Sequence, residues 1–259
     1  MGPVKRGPSD ELCEPSVSPV ADSDRASVND GRAVKEAVRR IPEATVARLP
    51  IYQRILSELI RDGESSVSSS QLGTLARVNA AKVRKDLSML GSFGTRGSGY
   101  NATFLMSRID RALGADRDWP VVVVGAGNLG RALVNSAGFS SRGFHVAALL
   151  DSDSKAVGQE VGPVQVRHVS ELSRMDVNFS TAIGVITTPA GAAQEIAEAL
   201  IEVGVQSILN FAPTVLSVPS HVMLRYVDLS IELQVMSFFQ SHDIYSEDIR
   251  FGIRGGRAI

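Results

Sequence analysis

Two groups of residues in this 259-residue sequence have types and spacings that could do chemistry. The first is a glycine-rich turn, Gly125-Ala126-Gly127-Asn128-Leu129-Gly130, which directly follows four consecutive valines. The valines predict a buried strand, and G-x-G-x-x-G after a strand lets a pyrophosphate rest on the N-terminal amides of the next helix. Asp151 follows a second predicted strand, Phe144 to Leu150, and lies 21 residues beyond Gly130. A carboxylate there hydrogen-bonds an adenosine ribose and repels a 2′-phosphate, so NAD(H) is favoured over NADP(H). The alternative is a glycine-rich turn in an ordinary α/β domain.

The second group is a run of basic side chains on a predicted helix, Ala80 to Leu90. Within residues 77–96 one acid, Asp86, stands among the basic residues Arg77, Lys82, Arg84, Lys85 and Arg96. An apolar stripe of Val83, Leu87 and Leu90 should face the core, which leaves outside Lys82, Arg84, Lys85 and Ser88. A basic outer face on the second helix of a tight pair is typical of a helix-turn-helix that enters the DNA major groove. The alternative is a solvated face, which is what most helical charge runs form.

Short helices and turns must position this basic helix. A first helix has an apolar face made of Tyr52, Ile55, Leu56, Leu59 and Ile60, and it ends at Asp62-Gly63. Ser68-Ser69-Ser70 offers N-caps for a short helix that carries Leu72, Leu75 and Ala76. After a turn at Arg77-Val78, Asn79 can cap the basic helix. The helix-turn-helix region therefore runs from Tyr52 to Gly91, and we add Ser70 to its predicted DNA-binding residues.

A glycine-rich segment, Gly91 to Tyr100, follows the basic helix and has Arg96 near its tip. Such a hairpin is typical of the wing of a winged helix. Arg96 could enter a minor groove, whose negative potential attracts guanidinium groups. The basic helix and the wing together favour DNA binding.

Strand-like and helix-like segments alternate in the rest of the chain. Asn101 should cap a helix from Phe104 to Leu113, and Trp119-Pro120 should lead into the first strand. The later predicted elements are a helix at Arg131–Ala137, strands at Val164–Val166 and Thr181–Thr187, a helix at Ala190–Val203 and a strand at Val205–Leu209. Alternation of this kind predicts a parallel sheet of the Rossmann type.

The last predicted helix, Ser230 to Ile249, is rich in apolar residues. They are Leu233, Met236, Phe238, Phe239 and Ile244. This helix could pack under its own domain, or against a second subunit. A winged helix that reads a palindrome needs a two-fold partner, so the second arrangement is at least as well supported.

Composition limits the class of protein. The chain is 44% hydrophobic with a formal net charge of −1, and its apolar runs are too short to span a bilayer. One cysteine, Cys13, allows neither a disulfide nor a cysteine-based metal site. We expect a cytoplasmic protein without metal and four segments: a disordered tail (1–40), a winged-helix DNA-binding domain (41–118), a Rossmann NAD(H)-binding domain (119–228) and a dimerisation helix with its tail (229–259).

The chain resembles the Rex family of redox-sensing transcriptional repressors over about residues 41–250. The matching stretches are Ile41-Pro42-Glu43-Ala44 with Leu49-Pro50-Ile51-Tyr52, Val83-Arg84-Lys85-Asp86-Leu87-Ser88, Phe93-Gly94-Thr95-Arg96-Gly97-Ser98-Gly99-Tyr100, Gly125 to Gly130, and Asn210-Phe211-Ala212-Pro213. The resemblance implies a homodimer that binds palindromic double-stranded operators, with paired winged helices and C-terminal helices swapped between subunits. It also implies that NADH releases the DNA, while NAD⁺ competes for the same pocket without releasing it effectively.

The resemblance also implies roles for individual residues. Arg84 and Lys85 match a DNA-contacting pair, and Arg96 matches a minor-groove arginine. The pyrophosphate loop corresponds to Gly125, Gly127 and Gly130, the ribose acid to Asp151, and the nicotinamide side to Thr187-Thr188-Pro189 and Asn210-Phe211-Ala212-Pro213. Arg54 and Asp228 match an inter-domain pair that changes partners with cofactor state. Ser136 stands where some members have a tyrosine, so this chain departs from a tyrosine-mediated switch.

Two other classes of protein remain as alternatives. An NAD-dependent dehydrogenase needs a proton donor beside the nicotinamide, and the sequence offers for this role His145, His168, His221 and His242, none in a catalytic pattern. A CoA-binding Rossmann domain would have a similar fold, but Asp151 disfavours the phosphorylated ribose of CoA. We therefore expect a sensor with no catalytic residues.

Overall fold

The chain folds into a helical unit followed by a sheet unit. The structure is a computed structural model that describes residues 1–2, 41–91, 99–140 and 142–242. The helical unit consists, in chain order, of α1 (Glu43–Val46), α2 (Leu49–Arg61), β1 (Ser66–Val67), α3 (Ser69–Leu75), α4 (Ala80–Ser88), β2 (Tyr100–Asn101) and α5 (Ala102–Leu113). Its core is built around the buried side chains of Tyr52, Leu56, Leu72, Leu87 and Leu105.

Side-chain caps fix the start of three of these helices. Ser68, Asn79 and Asn101 precede α3, α4 and α5, and each side chain accepts a hydrogen bond from a first-turn backbone N–H. Helix α2 ends at Asp62, and Gly63 follows in the left-handed region with φ 88°. All four boundary signals were predicted from the sequence and are confirmed, although α4 ends at Ser88 rather than Leu90.

Strands β1 and β2 form the base of a hairpin beside the helix pair. They are antiparallel, with Ser66 opposite Asn101 and Val67 opposite Tyr100. Gly99 has φ +75°, and a Cβ there would lie 2.8 Å from the carbonyl oxygen of Val67, so this close approach requires glycine. The predicted wing is thus present at its base. Its tip, including Arg96, lies outside the described residues.

A short joint connects the two units. Helix α5 ends at Gly114, which adopts a left-handed conformation with φ 68°. The indole Nε1 of Trp119 donates a 2.8 Å hydrogen bond to the Gly114 carbonyl, and the Trp119 backbone N–H donates one to Gly143. The joint is therefore anchored at both ends by hydrogen bonds.

The sheet unit contains seven strands with helices on both faces. In chain order its elements are β3 (Trp119–Val124), α6 (Asn128–Val134), α7 (Ala137–Ser140), β4 (Phe144–Asp151), β5 (Glu160–Val161), β6 (Val164–His168), a 3₁₀ helix (Val169–Arg174), β7 (Ile183–Ile186), α8 (Ala190–Glu202), β8 (Ser207–Asn210) and β9 (Met223–Tyr226). The strand order is β5-β6-β4-β3-β7-β8-β9. Every pair is parallel except the β5–β6 edge pair.

This sheet confirms the predicted α/β class with a Rossmann-type parallel sheet. The sequence did not reveal strand β9, and it predicted one helix at Arg131–Ala137 where the structure has α6 and the separate short helix α7. The valine run is buried on both faces: Val122 and Val124 pack toward the side of α8, while Val121 and Val123 pack toward the side of α6. A strand covered on both faces needs apolar residues at every position, which explains the run.

The last described helix, α9 (Leu229–Ser241), has no buried residue. Phe239 is half-buried, but six other large apolar side chains are more than two-fifths exposed, namely Leu229, Ile231, Leu233, Val235, Met236 and Phe238. Packing under its own domain was one of the two expected arrangements, and the described helix does not adopt it. The remainder of the predicted helix, from residue 243, lies outside the described residues. No helix in the described part of the chain is both long and apolar enough to cross a membrane.

Candidate functional site

A cavity of about 640 Å³ opens at the carboxyl ends of β3, β4 and β7. The strand order reverses on the two sides of β3, and ligands of open parallel sheets bind at such a switch point. The cavity is lined by the predicted residues Gly125, Ala126, Gly127, Asp151, Thr187, Thr188 and Pro189. The fold thus brings half of the predicted cofactor residues into one concave site.

The glycine loop is packed tightly on one side and open on the other. A Cβ on Gly130 would lie 1.9 Å from the carbonyl oxygen of Gly125, and Gly125 itself has φ +111°. The Thr187 hydroxyl donates hydrogen bonds to the carbonyl oxygens of Val124, at 3.1 Å, and Gly125, at 2.8 Å. By contrast, a Cβ on Gly127 would have no atom within 4 Å. The loop is therefore fixed from behind and leaves space at the start of α6, where a phosphate can approach.

Asp151 faces this loop from the end of β4. Its Oδ2 accepts a 2.6 Å hydrogen bond from the Ala126 backbone N–H, and its Oδ1 accepts a 2.8 Å bond from the Asp153 N–H. A carboxylate oxygen has two lone pairs, so each oxygen keeps capacity for a ribose hydroxyl. The carboxylate is thus oriented at the cavity wall and still able to accept hydrogen bonds.

Thr188 provides an independent sign that the cavity holds a polar ligand. Its hydroxyl oxygen is buried and has no hydrogen-bond partner among the described residues. Buried polar groups without a protein partner are rare in native proteins, and a bound ligand or water often satisfies them. Thr188 lies immediately before the first turn of α8, beside Pro189. A dinucleotide therefore fits the cavity on two counts, the orphaned hydroxyl and the open space at Gly127.

The other predicted cofactor residues do not line the cavity in this structure. They are Asn128, Leu129 and Gly130 in the first turn of α6, and Asn210, Phe211, Ala212 and Pro213 after β8. The Asn210 side chain is buried and bonds only to its own turn, donating to the carbonyls of Ala212 and Thr214 and accepting from the Ala212 N–H. Asn210 therefore shapes the turn, and its predicted contact with cofactor stays a prediction.

The structure adds cavity residues that sequence reasoning missed. They come mainly from the segment after β4 and include Ser152, Asp153, Lys155, Ala156 and Gln159, together with Arg131 on α6. Arg131 donates from Nε to the Ala126 carbonyl and from Nη2 to Gln159 Oε1, and thereby ties the glycine loop to that segment. A usable signal was available only for Arg131, which directly follows the third glycine of the motif.

The side chains predicted to contact DNA are exposed on α4 and at the start of α3, and their role stays a prediction. Ser70, Lys82, Arg84, Lys85 and Ser88 are all exposed. The Arg84 guanidinium donates a 3.1 Å hydrogen bond from Nη1 to the Ser69 hydroxyl, which links α4 to the start of α3. The turn between the two helices passes through Arg77, whose φ of 56° is in the left-handed region.

Asp86 does not belong to that exposed face. Its side chain is 2% exposed and accepts hydrogen bonds from both Nε and Nη2 of Arg48, each at 2.7 Å. The Tyr52 hydroxyl donates at 2.8 Å and the Thr45 hydroxyl at 3.0 Å. We call Thr45, Arg48, Tyr52 and Asp86 the buried carboxylate cluster. The single acid of the basic segment is thus neutralised inside the unit, so α4 presents only positive charge outward.

Burial and hydrogen bonding act in opposite directions on this cluster. Burial alone would raise the pKa of Asp86, but the hydrogen bonds from Arg48, Tyr52 and Thr45 and the charge of Arg48 outweigh it and lower that pKa below its ordinary value. Burial and the hydrogen bond to Asp86 raise the pKa of Tyr52 to about 12. The cluster is therefore an ionised Asp86 held by a charged Arg48 and a neutral tyrosine.

The predicted switch pair is not joined within one chain. Arg54 contacts Glu58 at 3.4 Å. The Asp228 Oδ1 atom accepts hydrogen bonds from the N–H and the hydroxyl of Ser230. These bonds lower the pKa of Asp228 and cap α9. The pairing of Arg54 with Asp228 stays a prediction.

None of the four histidines is among the residues that line the cavity. His145 pairs with Asp118 at the opposite end of the sheet, and His168 caps the 3₁₀ helix. The described residues also contain no group of three or more histidine, cysteine, aspartate or glutamate side chains placed to hold a metal ion.

The chain joins a helix with an exposed basic face, α4, to a cavity formed by a glycine loop and Asp151. This fold and this site together define a DNA-binding regulator that responds to a nucleotide.

Comparisons with known proteins identify the family. A family model described as "Putative DNA-binding protein N-terminus" matches residues 40–88, and one described as "CoA binding domain" matches residues 116–214. The redox-sensing transcriptional repressor Rex of Streptomyces coelicolor is 54% identical over 81% of this chain and 82% of its own length. The Rex protein of Pelotomaculum thermopropionicum is 44% identical over 77% of this chain and 93% of its own length. The chain belongs to the Rex family of redox-sensing transcriptional repressors, a family of regulators rather than enzymes.

Solved structures agree with this assignment. RSP in complex with β-NAD⁺ and operator DNA matches with a TM-score of 0.74 and 31% identity, covering 81% of this chain and 97% of RSP. RSP in complex with β-NADH matches with a TM-score of 0.72 and 30% identity, over 80% and 97% of the two chains. The family assignment confirms the resemblance predicted from the sequence motifs.

Proposed function

We propose that this chain is a repressor that binds a palindromic operator as a homodimer, holds NAD(H) in the cavity, and leaves the DNA when NADH binds. One observation carries the proposal. The same chain joins a helix with a basic outer face to a nucleotide cavity, and RSP, with the same architecture, has been solved both with NAD⁺ and operator DNA and with NADH. We propose that this chain acts in the cytoplasm and that its function needs neither a metal ion nor a membrane.

In this proposal different cavity residues bind different parts of the dinucleotide. The glycine loop at Gly125 and Gly127 holds the pyrophosphate in front of the N-terminus of α6, and Asp151 accepts hydrogen bonds from the adenosine ribose. Thr188, whose hydroxyl is buried and unpartnered, donates to the nicotinamide half. Asn210 and Thr187 act by shaping the turns on this side of the cavity, because their polar atoms already bond to backbone.

Discrimination between the two redox states follows from charge. When bound, NADH supplies a neutral nicotinamide ring and NAD⁺ supplies a positively charged one. Apolar residues of α8 line the cavity, among them Ala192 and Ile196. When they exclude water from the ring, desolvation penalises the charged ring and not the neutral one. The closed state is therefore favoured by the reduced cofactor.

DNA recognition rests on α4. Lys82, Arg84, Lys85 and Ser88 enter the major groove, and Arg96 on the wing enters the minor groove. A palindrome presents two half-sites about 34–36 Å apart, so the exposed apolar face of α9 packs against a second subunit and sets that spacing. Closure of the sheet units around NADH changes the spacing. By linkage, NADH weakens DNA binding by the factor by which DNA weakens NADH binding.

The dehydrogenase and CoA-binding alternatives are less well supported. A dehydrogenase needs a proton donor beside the nicotinamide. The cavity residues Asp151, Asp153 and Lys155 belong to the end of β4 and the segment after it, which is the side proposed for the adenosine and not for the nicotinamide. CoA has a phosphorylated ribose, which the carboxylate of Asp151 would repel. The "CoA binding domain" match therefore reflects the shared Rossmann-like fold.

A gel shift tests the proposal. The probe is a palindromic duplex that the wild-type chain selects from a randomised pool, and it is titrated separately with NADH and NAD⁺. Release at low NADH, with NAD⁺ much less effective, is the expected result. Asp151→Ala should still bind the duplex but ignore NADH. Equal responses to the two cofactors, or failure to select any duplex, would contradict the proposal, and catalysed NADH oxidation above background would favour an enzyme.

A further inference from the structure

The buried carboxylate cluster connects the reading helix to the two helices that precede it. The carboxylate of Asp86 is on α4, and its donors come from α1 (Thr45) and from α2 and the residue before it (Tyr52, Arg48). The planar guanidinium of Arg48 bonds to both carboxylate oxygens. A bidentate contact of this kind fixes direction as well as distance. Sliding or rotation of α4 would break all four hydrogen bonds together.

The apolar contacts of α4 cannot provide the same restriction. Its buried apolar side chains are Val83 and Leu87, one helical turn apart. Hydrophobic contacts are non-directional, so they tolerate some rotation of α4 about its axis. Base recognition does not, because a hydrogen bond is made only within about 2.7–3.2 Å. A displacement of one residue along a helix is about 1.5 Å. Arg84, Lys85 and Ser88 lie within two residues of Asp86, so any movement of Asp86 changes their positions directly.

The cluster is also a poor device for stability alone. Removing a carboxylate and a guanidinium from water is costly, and a buried ion pair can often be replaced by apolar residues without loss of stability. Asp86 is nevertheless the one acid in the basic segment, and all of its hydrogen bonds are directed at α1, α2 and Arg48 between them. Stability alone therefore does not explain why an ion pair rather than apolar packing joins these helices.

We propose that the buried carboxylate cluster sets the register of α4 for base recognition, so that Thr45, Arg48, Tyr52 and Asp86 are positioning residues for operator specificity. The inference rests on the proposed DNA binding. It predicts that stability and specificity separate: a cluster replaced by apolar side chains leaves a folded protein that still binds duplex DNA through its positive charge but no longer prefers the selected sequence.

The test uses the full chain with the double substitution Arg48→Met and Asp86→Leu. Two labelled duplexes are compared at one salt concentration: the palindrome selected by the wild-type chain, and a scrambled duplex of the same composition. Affinity for the selected duplex should fall at least about tenfold, the loss of about one misplaced base contact. Affinity for the scrambled duplex should change less than about twofold, because it depends on net charge, which the double substitution leaves unchanged. The matched control is Gln53→Met, which removes a hydrogen bond to Asp110 between α2 and α5 in the same unit and also leaves the net charge unchanged.

The outcomes are distinguishable. If the double variant is folded by circular dichroism, binds NADH like wild type and keeps its preference for the selected duplex, the inference is overturned. If it does not fold, Tyr52→Phe and Thr45→Val decide, since each removes one hydrogen bond to Asp86 and keeps the packing. Reduced preference in either variant supports the inference, and wild-type preference in both overturns it. If the wild-type chain selects no duplex, the proposed function itself has failed.

Discussion

Alanine substitution of Gly127 should weaken NADH binding while leaving the protein folded. Gly127 is the N-cap of α6 and has φ −71°, which alanine adopts freely. A methyl group there would meet no protein atom within 4 Å. It would project into the cavity instead, at the place where the pyrophosphate must approach the helix amides. The substitution therefore fills ligand space and not protein space.

The structure gives the magnitudes and a matched comparison. A hydrogen bond to a charged group is worth about 1.5–3 kcal/mol, so displacing the pyrophosphate from one amide raises Kd about 10- to 140-fold at 1.4 kcal/mol per factor of ten. The cost in stability is about 1 kcal/mol, which is typical for alanine at an N-cap. At Gly130 the same methyl would lie 1.9 Å from Gly125 O and 3.0 Å from Thr187 Oγ1. Overpacking of that kind costs about 1–3 kcal/mol.

The assay is quenching of tryptophan fluorescence by NADH, which reports on one residue because Trp119 is the sole tryptophan of the chain. Thermal unfolding is measured in parallel. Gly127→Ala should show a higher Kd with a nearly unchanged unfolding temperature, whereas Gly130→Ala should show a lower unfolding temperature. An unchanged Kd in folded Gly127→Ala would refute the placement of the pyrophosphate, and an unchanged unfolding temperature in Gly130→Ala would refute the packing argument.

Three further predictions concern the reading helix and the dimer. Asp86→Asn should make the free energy of unfolding less dependent on pH in the acid range. The pKa of Asp86 is lowered in the folded state, so its contribution to that free energy is fully present above the unfolded pKa of about 3.9 and is lost as pH falls through the folded pKa. Urea unfolding at several acidic pH values checks this, and an equal loss of unfolding free energy in wild type and variant would contradict it. Arg84→Ala should weaken binding of the selected duplex by about 1–3 kcal/mol if the side chain reads a base, and gel shifts with unaltered affinity would exclude that role. If the proposed dimer forms through α9, deleting residues 230–259 should leave a monomer in sedimentation velocity, and a dimer that survives the deletion would disprove the role of α9.

Local signals predicted the elements well because each acts within a few residues. Ser68, Asn79 and Asn101 mark helix starts through bonds to amides three residues away. The alternation of strands and helices predicted a parallel sheet for the same reason. Strand β9 was missed because Met223–Tyr226 is an edge strand and mostly exposed, so it has no strong apolar pattern. Its pairing with β8 is set by the rest of the sheet.

Half of the predicted cofactor residues line the cavity, and there is a physical reason why the sequence did not indicate the other residues of its lining. The glycine motif and Asp151 have a fixed spacing imposed by the backbone, which makes them visible in the sequence. Cavity residues such as Lys155 and Gln159 lie on an irregular segment whose path depends on tertiary contacts. Asp86 is a different case: a charge among charges suggests an exposed position, and only the donors contributed by residues 34 to 41 positions earlier explain its burial.

The joint at Gly114 and Trp119 has a mechanical consequence. The Trp119 indole bonds to Gly114 at the end of the last helix of one unit, and the Trp119 N–H bonds to Gly143 of the other, so hydrogen bonds restrain the segment between them. With a flexible linker the two units would move independently, and a rotation of the sheet unit would not change the position of the helical unit. With a stiff hinge, any turning of the sheet at residue 119 swings the entire helical bundle as a lever arm. In the proposed dimer, which pairs through α9, such rotations in both subunits would widen or narrow the gap between the two α4 helices.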